Sequence, residues 1–476
     1  MIKVYLDWNV MSGMKNNHFQ DFTDIISNRE KFLLLYSTSH IGDILASIKK
    51  HSAEEQELVR EDLEYITSLT DNLCMANDSK DVTLGICDPG ELLDDRIREA
   101  PLFQNLSLDS LFDSIEVEAD NPMSGLVNAM KNMIASIPLD NVFKEAFKDP
   151  ESAKMLESIF PGLKDDLTMK AFFNSFGQML HNMNEGEGYK DLRSIVQQIG
   201  ISNGHFSQDK NTFDVIENAY KKKGLENFDV RQYIDKSKNA PEWFNDITNE
   251  YVNLDMHGFK ADKVKVTDKE KNTFKNTTED ASHSAFASRC EFYITNDDRN
   301  YHKTKAVFQK LGILTIVLKP HEFVQYYNSF LRADSFDEHF AALIEEYKSP
   351  ANYQLQHYEN GDTFGLVKLT GRYFFNSFNK LLVPNQNSGA PMFVLSKENT
   401  ARNYVIHHRE IEGMIKMFVD KFGPDNEDKS YYEEGEISSE ADWPGRVWHL
   451  NIGQLCIRRI NGWFQLYFYP PQNPVD

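Results

Sequence analysis

The residues from Thr278 to Asp298 read T-E-D-A-S-H-S-A-F-A-S-R-C-E-F-Y-I-T-N-D-D. Between Asp280 and Cys290, small and apolar residues recur among polar ones at spacings typical of a helix lying on a sheet. The aromatic and β-branched run from Phe292 to Thr295 predicts a buried strand. Asp280 would then begin the helix, and Asp297 would lie just past the carboxyl end of the strand, where open α/β sheets bind ligands. Each acid also fits a structural role, Asp280 as a helix cap and Asp297 with Asp298 as a solvated turn.

The first residues of the chain repeat this arrangement of a strand followed by an acid. Met1 to Asp7 reads M-I-K-V-Y-L-D, which predicts a strand that ends on Asp7. The near-continuous apolar run from Phe32 to Tyr36 predicts a second strand, covered on both faces. Ser37 or Ser39 can cap the helix that follows, and Asp43 would lie in its first turns. Asp7 and Asp297 therefore follow predicted strands, and Asp43 and Asp280 belong to predicted helices that are next to strands in the sequence.

In these motifs and in their order the sequence resembles the PIN-domain nucleases. The matching segments are Y-L-D-W-N at Tyr5 to Asn9, S-H-I-G-D at Ser39 to Asp43, D-A-S-H-S-A-F-A at Asp280 to Ala287, and I-T-N-D at Ile294 to Asp297. The resemblance covers the first 70 or so residues and the region from Asn253 to Tyr327. It departs from the family in two ways: the second acid, often a glutamate, is the shorter Asp43, and a long insertion separates the two halves.

The resemblance implies a parallel sheet whose carboxyl edge carries a metal-dependent hydrolase site. Asp7, Asp43, Asp280 and Asp297 match the four acids that hold Mg²⁺ or Mn²⁺, and they are the predicted catalytic and metal-binding residues. Asn9, Thr295 and Asp298 would orient those ligands or the attacking water. The family's reaction hydrolyses a phosphodiester with an activated water and leaves a 5′ phosphate and a 3′ hydroxyl. Electrostatic repulsion among the acids also favours a bound metal ion. Two carboxylates about 4 Å apart repel by roughly 4 kcal/mol at an effective dielectric near 20, and a cation between them would offset this repulsion.

Composition bounds the class of protein. The chain has 476 residues, of which 41% are hydrophobic, and this is enough for two or three packed domains. Its net charge of −22 opposes nonspecific binding of nucleic acid through the overall field, although a local site remains compatible with it. The four cysteines are scattered, no signal peptide is visible, and no apolar run is long enough to span a bilayer. We therefore expect a cytoplasmic protein with reduced cysteines and no membrane partner.

The pattern of predicted elements divides the chain into four segments. Residues 1–72 and 251–335 would form the two parts of a PIN-like α/β domain, and residues 73–250 a helical insertion between them. Residues 350–476, rich in short strands and with a hairpin signal at Asn461-Gly462, predict a small α+β domain of unknown role. The methionines of the insertion could line a groove for a second copy or another protein, or fill gaps in its core.

Positive side chains near the predicted cleft are candidates for phosphate contacts. Six lysines lie between Lys260 and Lys275 against three acids, just before Asp280. The substrate-binding candidates are Lys263, Lys265, Lys269, Lys271, Arg299, Lys303 and Lys305. The lysine-rich stretch could equally be a solvated loop. Aromatic residues near the end of the chain could stack on bases or pack the core of a small sheet; these are Trp448, Trp463, Phe464, Tyr467, Phe468 and Tyr469.

The function predicted from the sequence is a Mg²⁺- or Mn²⁺-dependent nuclease, with RNA favoured over DNA by the resemblance. Toxins and defence effectors are roles that similar nucleases play. One alternative is a PIN-like binding or scaffold protein that does not cleave. The other is a phosphatase of the aspartyl-phosphate kind, which is disfavoured because Asn9 stands where that chemistry needs a second acid.

Overall fold

The structure is a computed structural model, and it describes the parts of the chain that form the two predicted sheets. Described are residues 1–48, 52–77, 80–104, 211–222, 240–259, 274–357, 363–385, 391–398, 408–433, 435–437, 442–460 and 463–471, with short segments and single residues between 144 and 206. Most of the predicted helical insertion and the lysine-rich stretch at 260–273 lie outside these ranges.

A six-stranded, mostly parallel sheet organises the first half of the fold. Its strands are β1 (Ile2–Leu6), β2 (Phe32–Ser37), β3 (Leu73–Asn77), β4 (Val82–Ile86), β5 (Phe292–Ile294) and β6 (Ile316–Leu318). They lie in the order β4-β3-β2-β1-β5-β6. Only β4 is antiparallel to its neighbour. The middle strand, β1, joins the two halves of the resemblance, because it pairs with β2 on one side and with β5 on the other.

The described helices alternate with these strands or follow them. They are α1 (Trp8–Lys15), α2 (Gln20–Ile26), α3 (Thr38–Ser47), α4 (Ala53–Thr70), α5 (Pro89–Gln104), α6 (Thr212–Lys222), α7 (Glu242–Met256), α8 (Phe274–Ala287), α9 (Asp298–Leu311), α10 (Pro320–Tyr326), α11 (Phe336–Lys348) and α12 (His408–Phe422). A short π-helical turn, Tyr327–Leu331, continues α10. No described helix is both long and apolar enough to cross a bilayer.

Hydrophobic layers cover both faces of the six-stranded sheet, because side chains alternate along each strand. In β1, Val4 and Leu6 belong to the core shared with α1–α4 and α10. Tyr5 points the other way, into the core shared with α6–α9. The second core includes Ala281 and Ala285, whose small side chains let α8 lie close to the sheet. Full burial on both faces is what the apolar run of β2 predicted, and all six of its residues are buried.

The structure differs from the sequence-based boundaries at three places. The sheet continues past residue 72, where the insertion was expected to begin, since β3 and β4 add two strands to its edge. Helix α7 crosses the expected boundary at 250 and packs against α8 and α9. The prediction that Asp280 begins a helix is wrong, because α8 spans Phe274–Ala287 and Asp280 lies in its interior.

A seven-stranded antiparallel sheet forms the C-terminal domain. Its strands are β7 (Gln354–His357), β8 (Thr363–Phe374), β9 (Phe378–Pro384), β10 (Phe393–Ser396), β11 (Trp443–Leu450), β12 (Gly453–Ile460) and β13 (Trp463–Tyr469), in the order β11-β12-β13-β10-β9-β8-β7. Register pairs Ile460 with Trp463, as the predicted hairpin requires. The aromatic set divides by strand alternation. Trp448, Phe464 and Phe468 pack in the core with α11 and α12, whereas Trp463 stays 42% exposed and Tyr467 and Tyr469 half-buried.

Buried charges join the two sheets. Glu410 of α12 accepts from Lys397 at 2.9 Å and lies 3.5 Å from Lys3 of β1, and Lys397 also lies 3.0 Å from Glu291. All four side chains are at most 5% exposed. Since an unpaired buried charge is costly, this network ties the position of the C-terminal domain to that of β1.

Candidate functional site

The four predicted acids lie around the carboxyl edge of the parallel strands. Asp7 directly follows β1, and Asp297 is the N-cap of α9, three residues after β5. Asp43 lies on α3, the helix that follows β2 and is capped by Ser37. Asp280 approaches from α8, which precedes β5. Crossover connections thus bring together residues that are far apart in sequence.

Asp7 is 4% exposed and held by hydrogen bonds to one of its two oxygens. Oδ2 accepts from Thr295 Oγ1 at 2.6 Å, Asn9 Nδ2 at 2.7 Å, Asn300 Nδ2 at 3.2 Å and Tyr293 OH at 3.5 Å. All the donors described for this carboxylate therefore converge on Oδ2, so the group cannot rotate without losing them. Oδ1 is left as the oxygen available to a ligand.

Asn9 and Thr295 also hold the loop that follows β5. Asn9 Oδ1 accepts from the backbone N–H of Asn296 at 3.0 Å, and Thr295 Oγ1 accepts from the N–H of Asp297 at 3.2 Å. Asp297 Oδ1 then accepts from the first amides of α9, those of Arg299 at 2.7 Å and Asn300 at 2.9 Å. The positive end of the helix thus stabilises this carboxylate.

Asp43 pairs with a histidine that is buried behind it. His283 Nε2 lies 2.9 Å from Asp43 Oδ2, and the ring is completely buried. Its other nitrogen, Nδ1, lies 2.8 Å from the hydroxyl of Tyr5, which is 2.6 Å from Ser37 Oγ. Ligand atoms of Asp7, Asp43 and His283 all lie within 4.8 Å of one another.

The charges of the four acids act on one another. Burial and the charge of Asp43 raise the pKa of Asp7, against the opposing effect of His283. Burial and the charges of Asp7 and Asp43 raise the pKa of Asp280 well above its usual value. Burial alone would keep His283 neutral, but Asp43 and the acids near it raise the pKa of its imidazole to about 9. A cation among these carboxylates would favour their ionised forms and would itself be stabilised by them.

A second group of buried polar residues lies beside Asp280. Lys303 of α9 is 4% exposed and forms an ion pair with Asp255 of α7, with its ammonium 5.3 Å from the centre of the Tyr251 ring. Burial and the charge of Asp280 raise the pKa of Tyr251. The Tyr251 hydroxyl has no hydrogen-bond partner among the described residues, although it is fully buried. An orphaned hydroxyl close to these carboxylates fits a site that holds a further polar group.

Glu279 and Arg96 close the side of the site next to Asp43. Arg96 of α5 donates to Glu279 Oε1 at 2.9 Å and to the carbonyl of Thr38 at 2.8 Å. Both groups pass over Gly42, where a Cβ would collide with them. Gly42 therefore allows α5 and α8 to meet beside Asp43.

The structure corrects two of the predicted site residues. Asp298 was predicted to orient the metal ligands or the water, but its side chain is 74% exposed and forms an ion pair with Lys319. Lys303 is not a surface cation, because burial against Asp255 commits its charge to the protein interior. Arg299 is half-buried, and Lys305 is exposed, with its ammonium 4.0 Å from the centre of the Tyr301 ring. Lys263, Lys265, Lys269 and Lys271 lie outside the described residues.

Sequence reasoning missed His283, Tyr5, Asn300 and the Lys303–Asp255 pair. A signal existed for His283, since it follows Asp280 by three residues and so shares its helix face. Tyr5 carried none, because a tyrosine in a buried strand has the same pattern whether or not its hydroxyl is bonded. Asp255 and Lys303 are brought together only by the packing of α7 on α9.

The donor set fits a divalent cation. Carboxylate oxygens are the ligands that Mg²⁺ and Mn²⁺ prefer, and the donors that fix Asp7 all bond to Oδ2. Asp7 and Asp43 would hold such an ion, with Asp280 and Asp297 beside them. No protein-family model, no curated protein and no solved structure matches this chain.

Proposed function

We propose that this protein is a metal-dependent nuclease of PIN-like architecture, with Asp7, Asp43, Asp280 and Asp297 as its Mg²⁺- or Mn²⁺-binding acids. The observation that carries the proposal is the grouping of Asp7, Asp43 and His283 ligand atoms within 4.8 Å at the carboxyl edge of a parallel sheet. RNA is proposed over DNA because of the sequence resemblance alone.

Each residue has a part in the proposed reaction. When bound, the ion would polarise a phosphate oxygen and help to ionise a water. Asp7 and Asp43 position it, and Thr295, Asn9 and Asn300 fix the orientation of Asp7. Asp297 is held by the amides of α9, and Asp280 adds a carboxylate whose pKa is raised by its burial and by the charges around it. The −1 charge of a phosphodiester would otherwise be repelled by these groups, so binding of substrate and of cation would be mutually dependent.

Cleavage of labelled RNA, single-stranded DNA and duplex DNA, with Mn²⁺ or Mg²⁺ added after chelation, tests the proposal. We expect metal-dependent cleavage that leaves a 5′ phosphate and is lost in Asp7→Asn and Asp43→Asn. Thr295→Val should lower the rate by about 10- to 100-fold, as is usual when a partner of a metal ligand is removed.

Asp298→Asn is the matched control, because Asp298 is a 74% exposed acid one residue from Asp297 that forms an ion pair with Lys319. It should cleave at the rate of the unmodified protein. Cleavage by Asp7→Asn at that same rate would assign the activity to another site or to a contaminant, and the proposal would be rejected.

A further inference from the structure

We propose that His283 is itself a ligand of the ion, bonding through Nε2, and that this nitrogen makes the site select Mn²⁺ over Mg²⁺. The inference rests on the proposed function only in that both concern the same ion. It departs from the all-carboxylate ligand set that the sequence resemblance implies.

The distances suit one coordination shell. In an octahedral site with ligands about 2.1 Å from the ion, neighbouring ligand atoms lie about 3 Å apart and opposite ones about 4.2 Å apart. His283 Nε2 lies 2.9 Å from Asp43 Oδ2, and the cluster with Asp7 spans no more than 4.8 Å. The three atoms can therefore contact one ion after shifts of a few tenths of an ångström.

The buried contacts of the ring prepare Nε2 for this role. The Tyr5 oxygen, 2.8 Å away, can accept a hydrogen bond from Nδ1–H while the Tyr5 hydroxyl donates to Ser37 Oγ at 2.6 Å. When an ion displaces the proton from Nε2, the Nδ1–H bond to Tyr5 is kept and the Nε2 lone pair lies on the side of the ring next to Asp43. A hydrogen-bond partner on the second ring nitrogen is the usual arrangement for a metal-binding histidine. The His40 ring packs edge-on against the His283 ring, with 4.7 Å between the ring centres, and limits rotation of the His283 imidazole.

A nitrogen ligand changes which ion is preferred. Mg²⁺ takes oxygen ligands and gives up its waters reluctantly, whereas first-row transition ions accept imidazole together with carboxylates. Between these two ions, the mixed set of Asp7, Asp43 and His283 therefore favours Mn²⁺ over Mg²⁺. Replacing the imidazole by an amide should weaken Mn²⁺ binding and leave Mg²⁺ binding nearly unchanged.

The direct test is the electron spin-echo spectrum of Mn²⁺ bound to the full chain. We expect nitrogen coupling to the ion, which should change to the ¹⁵N pattern when only histidine carries ¹⁵N and disappear in His283→Gln. In competition titrations, His283→Gln should bind Mn²⁺ about tenfold or more weakly, and Tyr5→Phe should weaken binding while keeping the nitrogen coupling. His321→Gln, which replaces an exposed histidine of α10, should match the unmodified protein.

The outcomes separate this inference from the proposed function. Bound Mn²⁺ without histidine coupling would mean that His283 only donates to Asp43, and the inference would be wrong while the nuclease proposal stood. Histidine coupling in a protein that cleaves no nucleic acid would support the inference and reject the nuclease. Absence of Mn²⁺ binding in a protein that melts cooperatively would overturn the inference.

Discussion

At the residue scale, Asp7 is the group on which the site depends most. Asp7 follows β1, the strand that pairs with both halves of the sheet domain. Its Oδ2 accepts all the hydrogen bonds described for the carboxylate. Asparagine at this position can keep those hydrogen bonds through its carbonyl oxygen but removes the negative charge. Asp7→Asn therefore tests the charge separately from the architecture.

We expect Mn²⁺ to stabilise the protein and Asp7→Asn to abolish most of that effect. A ligand that binds only the folded state adds about 2.7 kcal/mol at 100 times its dissociation constant. Thermal melts of chelated and Mn²⁺-loaded protein measure the shift. The same shift in Asp7→Asn as in the unmodified protein would show that the stabilising ion binds elsewhere.

Gly42→Ala gives a second prediction at the residue scale, and the direction in which it changes the stability of the protein tests the packing around Gly42. In a helix interior, Gly→Ala ordinarily stabilises by roughly 0.5–1 kcal/mol. At Gly42 the added Cβ would collide with Arg96 and Glu279, so we expect Gly42→Ala to destabilise by about 1–3 kcal/mol, as overpacking usually does. Urea unfolding of the full chain measures it.

Gly85→Ala is the control for Gly42, because no atom lies within 4 Å of the Cβ it would add. It should change stability by no more than about 0.5 kcal/mol. If Gly42→Ala also proved neutral or stabilising, the contact of α5 with α8 beside Asp43 would be looser than described.

At the scale of elements, alternation and capping predicted the strands that position the acids. β1 (Ile2–Leu6) stops one residue before Asp7, where the strand was predicted to end, and β2 extends one residue past the predicted Tyr36 to Ser37. β5 and β6 have only three residues each, and strand pairing, not their composition, fixes where they begin and end. β3 and β4 were missed because a short hairpin at a sheet edge has a weak pattern of its own.

Buried charge is the part of the site and of the domain junction that sequence patterns cannot reveal. From the sequence, Lys3, Glu291 and Lys303 would be expected on the surface, since charged side chains are seldom buried. Their burial depends on partners such as Glu410 and Asp255, which only the tertiary fold supplies. The candidate acids could be named from the sequence because their chemistry agrees with their place after strands or in the helices next to them. Their neutralising partners could not.

The junction between the two sheets gives a prediction for Glu410→Gln. Removing one partner of a buried ion network typically costs about 3–5 kcal/mol, because the other charges stay buried. Lys3 and Lys397 hold the pKa of Glu410 far below its ordinary value of 4.5, although burial opposes them. We expect urea unfolding at pH 7 to show that the variant is destabilised by a few kcal/mol. The two domains should then unfold in separate transitions.

The pH dependence of that loss has a definite sign. Because the folded pKa is depressed, the contribution of Glu410 is fully present above pH 4.5 and is lost as pH falls through the folded pKa. The difference between Glu410→Gln and the unmodified protein should therefore narrow below pH 4.5. Glu412→Gln, an exposed acid on the same helix, should match the unmodified protein throughout. A difference for Glu410→Gln that grew in acid would contradict this assignment.

At the scale of the whole molecule, the net charge of −22 must be reconciled with an anionic substrate. Two cations near the cleft do not help, since Lys303 is paired with Asp255 in the interior and Lys319 with Asp298. The candidates for phosphate contacts named from the sequence are therefore reduced to Arg299, Lys305 and the lysines between Lys260 and Lys275. Screening over about 8 Å at physiological salt allows such a local path in an acidic protein.

We predict that replacing Lys263, Lys265, Lys269 and Lys271 by glutamine weakens binding of single-stranded RNA and flattens its dependence on salt. For every phosphate that the variant no longer neutralises, the slope of log K against log salt should fall by about 0.7 for a single strand. Stabilisation by Mn²⁺ should persist, because the acids are untouched. The control removes four lysines from α6, α11 and α12, namely Lys221, Lys222, Lys348 and Lys421, and so changes the net charge equally. An equal loss of affinity in both variants would mean that only the overall charge matters. An unchanged slope in the first would place the substrate path on another surface.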